Sequence, residues 1–209
     1  MHPEALGGEG KKLFPLLKNF PEFYLAGGTA LALQISHRLS ADFDFFSPQP
    51  IERSLLTKVK KIFADCQVSP SVNNPDELTV FVDGVKITFL KYPFPLLAKL
   101  IKFKGIKILR AKEIGVTKAY VIGRRGSYKD YVDLYFIFKK RIASLAETIN
   151  LAAKKYGSDF NSRLFLEQLL YLEDVKDLKI SFLGQKQISK EEISRFFKKE
   201  IKNLELKTK

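Results

Sequence analysis

The segment Asp42-Phe43-Asp44-Phe45-Phe46 alternates carboxylates with aromatic side chains. A period of two belongs to a strand with one buried face, because successive side chains of a strand point to opposite sides. Phe43, Phe45 and Phe46 then anchor the strand in a core, and Asp42 and Asp44 sit side by side on one face. Like charges at that spacing repel. A hard divalent cation such as Mg²⁺, which takes few protein carboxylates together with phosphate oxygens, removes the penalty. The plainer alternative is an edge strand with a solvated polar face. Thirteen residues before Asp42 ends Gly27-Gly28-Thr29, read as a turn from a short buried strand (Phe23 to Ala26) into a helix. Two glycines at a helix N-terminus let a phosphate approach backbone N–H groups where the helix dipole also favours it. Thr29 reads as the N-cap and as a further hydroxyl donor.

Around this pair the first half reads as a mixed sheet. Leu13 to Asn19 is expected to be helical, and Glu52 to Ala64 is helical through Leu55, Leu56, Val59, Ile62 and Phe63. Val68 to Val72, Leu78 to Val82 and Val85 to Leu90 are strand candidates, the last two joined by Asp83-Gly84, a strong hairpin signal. Pro93 and Pro95 break the pattern, and Ile106 to Leu109 offers one more short strand. From there helical spacing takes over: Glu113 to Ile122, ended by Gly123, then Tyr128 to Phe138, Ala143 to Tyr156, Ser162 to Leu172 and Lys190 to Leu204. The plan is α+β, with residues 1–105 as the sheet core, 106–209 as a mainly helical domain, and the change of texture falling between 93 and 112.

Charge narrows the partners. The net charge is +13, and the stretch from Lys86 to Arg141 holds fifteen basic residues against three acids. Such a patch favours phosphate-bearing partners, unless it is simply a lysine-rich solvated surface. Within it, Asp130 and Asp133 lie three apart on one helix face, and the glycine-bounded turn after Gly123 can fold Lys118 back toward them. Together with Arg124, Arg125 and Lys129 this cluster could hold a nucleotide's phosphates or form an ordinary interhelical salt bridge. With two histidines and a single cysteine, Cys66, zinc sites and disulfides are excluded. His37 reads as a partly exposed helix-end residue and Cys66 as core or a buried helix end. No apolar run reaches membrane-spanning length and no signal segment is visible, which leads us to expect a soluble, cytoplasmic protein.

In order along the chain come Gly27-Gly28-Thr29, then Arg38-Leu39-Ser40-Ala41-Asp42-Phe43-Asp44, then Lys118, then Lys129-Asp130-Tyr131-Val132-Asp133-Leu134. These four blocks resemble the nucleotidyltransferases of the AbiEii/AbiGii toxin type, over residues 23–138. The resemblance implies a polymerase-β-like core that moves a nucleoside monophosphate from an NTP to a hydroxyl. Gly27, Gly28 and Thr29 would meet the triphosphate, and Asp42 and Asp44 would bind Mg²⁺. Lys118 would steady the nucleotide phosphates, and Asp130 or Asp133 would act as the distal acid. Arg38 and Ser40 would brace the aspartate strand. The acceptor would be an RNA 3′ end such as tRNA, or a protein side chain, and an antitoxin partner is implied. Many nucleotidyltransferases carry a third metal-binding carboxylate on a later strand, where this chain has Thr88. An inactive relative acting as an RNA- or protein-binding module is therefore the alternative expectation.

Overall fold

The structure is a computed structural model that describes residues 1–172, 175–176, 178–184 and 187–207. The chain divides into two compact units. The first is Met1–Pro95 with Lys99–Arg110, and the second is Leu96–Ala98 with the residues from Ala111 onward.

The first unit is built on one mixed sheet. Its elements in chain order are α1 (Gly8–Leu13), a 3₁₀ turn (Phe14–Asn19), β1 (Tyr24–Ala26), α2 (Gly27–Ile35), β2 (Phe43–Ser47), α3 (Leu55–Ile62), β3 (Val68–Asn73), β4 (Glu77–Val82), β5 (Val85–Lys91), β6 (Ile101–Phe103) and β7 (Ile106–Ile108). The spatial order is β3-β4-β5-β2-β1-β7-β6. β2 is the hinge of this arrangement, antiparallel to β1 and parallel to β5. One face of the sheet is apolar: Leu25, Phe43, Phe45, Leu78, Val80, Ile87 and Phe89 are all buried. Phe89 is its centre, with ring centroids 4.8 Å from Phe20, 5.0 Å from Phe23 and 5.4 Å from Phe45. The opposite face carries Ala26, Asp44, Thr88 and Thr79 in one row, as the strand register requires.

The expected strands form, and so does the Asp83-Gly84 hairpin, whose two residues take φ of 46° and 79°, the paired positive values of a type I′ turn. Three differences have physical reasons. β6 is unexpected from the pattern because it is only three residues long and follows two prolines; it is closed onto β7 by Lys104-Gly105, with φ of 49° and 84°. β7 lies beyond residue 105 yet belongs to this unit, since it runs parallel to β1 through the Leu25–Ile108 pair. The helix at the N-terminus covers Gly8–Leu13, and the expected stretch after it is a 3₁₀ turn with Pro15 in its first positions.

The second unit is helical: α4 (Ala111–Arg125), α5 (Tyr128–Lys139), α6 (Leu145–Tyr156), a 3₁₀ turn (Gly157–Asp159), α7 (Ser162–Leu170) and α8 (Lys190–Lys207). α4 runs past Gly123, which does not end it; the break comes at Gly126, just before Ser127 caps α5. α5 is buried along most of its length, from Tyr131 to Phe138, and its Tyr131 and Phe138 rings lie 6.4 Å and 6.2 Å from Phe197 of α8. Gly115 lets α4 approach α5 closely, since a Cβ there would meet Ile137 Cδ1 at 3.1 Å. A buried ion pair between Lys155 and Glu113 completes the unit, and Glu113 Oε1 also accepts the Leu97 N–H at 3.0 Å, which ties Leu96–Ala98 to it.

Phe89→Ala removes the ring on which three other phenylalanines converge. We expect a loss of about 3–5 kcal/mol in folding stability, measured by urea unfolding, against under about 0.5 kcal/mol for the exposed Phe81→Ala.

Candidate active site

α2 starts directly from β1, with no intervening loop: Ala26, the last strand residue, is also the N-cap. The chain turns at Gly27, whose φ of 65° lies in the left-handed region that favours glycine. Thr29 is therefore the third helical residue rather than the cap expected from the sequence. Ala26 pairs across the ladder with Asp44, so the turn and the carboxylate are adjacent by register. Gly27 has no room for a side chain: a Cβ there would overlap the Asp44 carboxylate, reaching its Cγ at 3.0 Å. Asp44 is half-buried within β2, while Asp42 stands exposed just ahead of the strand. Backbone amides of the first helical turn, the helix dipole and the Asp44 carboxylate thus meet at one end of α2.

The segment between α2 and β2 is fixed from two sides. Thr29, 1% exposed, donates its hydroxyl proton to the Asp42 carbonyl oxygen and lies 2.7 Å from Ser40 Oγ. Its hydroxyl is thus engaged within the protein. Ser40 N–H donates to the Ala5 carbonyl at 2.9 Å, and Gly7 N–H donates to the Ser40 carbonyl at 3.1 Å. Gly10 packs against Ala41, where a Cβ would meet the carbonyl oxygen at 3.1 Å. The Gly-rich N-terminus is thus a clamp on the aspartate-bearing loop, a role not assigned to it from the sequence. Arg38 is buried and donates from Nη1 to the Leu39 carbonyl at 3.1 Å. His37 is fully buried rather than partly exposed. Cys66 is half-buried, and burial pushes its thiol up, away from nucleophile chemistry.

In the second unit Lys118 meets both acids of the Lys-Asp-x-x-Asp helix. Its Nζ lies 2.5 Å from Asp130 Oδ1 and 3.1 Å from Asp133 Oδ2. Each aspartate holds one edge of the same ammonium. Asp133 is wholly buried and Asp130 nearly so. Asp130 has a second duty as the third residue of a capping box, where its Oδ2 accepts the Ser127 N–H at 2.9 Å and the Ser127 hydroxyl at 3.0 Å. Helical spacing brings Asp130 and Asp133 to one face, and the break at Gly126 returns α5 along α4 toward Lys118. Tyr131, between them in sequence, is pushed up to about 12 by burial and by the Asp130 charge, and its hydroxyl donates to the Gln168 carbonyl. Arg124 donates to the Asp159 carbonyl and stacks over Tyr120, away from the aspartates' contacts, Lys129 is exposed, and the Arg125 side chain lies outside the described residues.

Comparison with known proteins decides the family. The family model described as the nucleotidyl transferase AbiEii toxin of type IV toxin–antitoxin systems matches residues 12–205. The chain belongs to the AbiEii nucleotidyltransferase toxin family. It is accordingly a nucleotidyltransferase. An uncharacterized protein of Aquifex aeolicus, aq_aa25, is 36% identical over 187 residues, covering 87% of each chain. Among solved structures, a candidate nucleotidyltransferase from H. pylori aligns with a TM-score of 0.62 at 22% identity, over 94% of this chain and 95% of that one. MenT4, the nucleotidyltransferase toxin Rv2826c of Mycobacterium tuberculosis H37Rv, aligns with a TM-score of 0.60 at 18% identity, over 88% of this chain and 79% of that one. At those identities the two structures establish the shared fold, a mixed sheet with helices of the nucleotidyltransferase type.

Lys118→Met strands two buried carboxylates without their cation. Breaking such a group costs about 3–5 kcal/mol, whereas Lys129→Met at an exposed position of α5 changes stability by under about 0.5 kcal/mol. Urea unfolding of the two variants reads the difference.

Proposed function

We propose that this nucleotidyltransferase moves a nucleoside monophosphate from an NTP to a hydroxyl on RNA, an RNA 3′ end such as that of tRNA, with release of pyrophosphate. The observation that carries the reading is the Gly27 turn set against Asp44 at the head of α2: an anion-binding helix terminus and a cation-binding carboxylate in register.

The donor set fits Mg²⁺. Among the described residues, no three His, Cys, Asp or Glu side chains are grouped to hold a metal by themselves. Asp42 and Asp44 are two hard oxygen ligands, and Mg²⁺ commonly takes one or two carboxylates with substrate phosphates completing its shell. Bound there, Mg²⁺ would neutralise charge developing on the phosphates during transfer. Gly27 and Gly28 would present backbone N–H groups to a phosphate, and Thr29 with Ser40 holds the loop that carries Asp42 up to β2. Arg38 belongs to that support. To Lys118 we assign the steadying of the nucleotide phosphates, with Asp130 and Asp133 as the acids that orient it.

RNA is favoured over a protein acceptor by the fifteen basic residues between Lys86 and Arg141, which offer sequence-independent, salt-sensitive phosphate contacts. Membership of the family supports a growth-inhibiting toxin countered by an antitoxin partner. Among the described residues no helix is long and apolar enough to cross a membrane, and a reaction on NTP and tRNA would take place in the cytoplasm.

The test is incubation with each α-labelled NTP, Mg²⁺ and total tRNA, comparing the natural chain with Asp44→Ala and Gly27→Ala. Label on RNA from the natural chain, reduced at least 100-fold in both variants, is the expected outcome. Label on protein instead would move the acceptor. No transfer with any NTP, alongside RNA binding that survives Asp44→Ala, would replace the enzyme by a binding module.

A further inference from the structure

The row of side chains on the polar face of the first unit's sheet runs past Asp44. Thr88 of β5 is the direct neighbour of Asp44, and Thr79 of β4 is the direct neighbour of Thr88. Both threonines are buried, at 8% and 3% exposure. Thr79 Oγ1 lies 2.6 Å from Glu77 Oε1 and 3.2 Å from Thr88 Oγ1. Glu77 is two residues before Thr79 on the same strand and so shares its face.

The direction of the protons follows from chemistry. A hydroxyl has one proton and two lone pairs, and a carboxylate only accepts. The shorter, charge-assisted contact takes the Thr79 proton, which therefore goes to Glu77. The Thr79 oxygen is left to accept, and the proton it accepts is that of Thr88. With its proton committed toward β4, the Thr88 oxygen has only lone pairs to offer on the side of Asp44. A threonine free to rotate would instead donate to that carboxylate and compete with a cation for it.

We propose that Glu77, acting through Thr79, fixes Thr88 as a hydrogen-bond acceptor for a water of the cation held at Asp44. Thr88 thus supplies, without a negative charge, the third oxygen that the position otherwise lacks. The inference rests on the reading of Asp42 and Asp44 as the cation's ligands. Mg²⁺ and Mn²⁺ keep several waters when bound by few carboxylates, and groups that hold such outer positions typically govern 10–100-fold in metal affinity. Glu77 is on this account a positioning residue.

The experiment is titration of the full chain with Mn²⁺ alone, followed by loss of the free Mn²⁺ electron paramagnetic resonance signal. Thr88→Val keeps the shape and removes the acceptor, and is expected to weaken Mn²⁺ roughly tenfold. Glu77→Ala releases the Thr79 proton and is expected to weaken it several-fold, whereas Thr88→Ser keeps the natural affinity. Asp44→Asn serves as the reference for the carboxylate site. Natural affinity in Thr88→Val and Glu77→Ala, with binding lost in Asp44→Asn, overturns this inference and leaves the aspartate reading standing. Mn²⁺ binding indifferent to Asp44→Asn overturns both. Should Thr88→Val fail to fold by circular dichroism, Glu77→Ala decides, because its half-buried side chain sits at the end of the row.

Discussion

The backbone of Gly27 lies so close to the Asp44 carboxylate that no side chain fits at that position. The rest of the first unit arranges itself around this approach. β1 and β2 must pair in the register that sets Ala26 opposite Asp44, and α2 must begin at once, with its first residue in a left-handed conformation. The aromatic face of the sheet holds that register: a slip of one residue would turn Phe43 and Phe45 outward and bury Asp44 in their place. The phenylalanine cluster is thus not only core. It fixes which face of β2 carries the charge.

The second unit solves a related problem by different means. Asp130 and Asp133 are buried, and a buried carboxylate is tolerable only when paired and hydrogen-bonded. Lys118 supplies the pairing for both, and the capping box at Ser127 uses the remaining capacity of Asp130. One aspartate therefore starts α5 and orients a lysine at once. The ammonium is held in a single position by two oxygens, one from each aspartate.

Much of this was legible in the sequence because its physical causes are local. Alternation in Asp42 to Phe46 marks a strand whatever it pairs with, Asp83-Gly84 admits few conformations besides a hairpin, and four ordered motif blocks survive any uncertainty about helix ends. What stayed hidden depends on partners distant in the chain. β6 has three residues and no pattern of its own; it exists because β7 offers it an edge. Thr29 looked like a cap because a threonine after glycines is commonly one, but β1 runs directly into α2 and leaves Thr29 inside the first turn. The N-terminal glycines gave no sign of their target, since Ala41 and Ser40 lie some thirty residues on. Glu77 is an ordinary charged residue at a strand end until the register brings Thr79 opposite Thr88. The assignment of His37 to a partly exposed helix end failed for the same reason: nothing near it in sequence buries it.

The central claim is that the Gly27 turn and the Asp42–Asp44 carboxylates form one site for a cation and a triphosphate. Its most direct test is a crystal structure of the full chain soaked with Mn²⁺ and a non-hydrolysable NTP, with the ion located by its anomalous scattering. The account predicts an anomalous peak within bonding distance of Asp42 and Asp44, with phosphate oxygens on the same ion and against the Gly27-Gly28 amides. A peak elsewhere, or a triphosphate bound away from the head of α2, would contradict it.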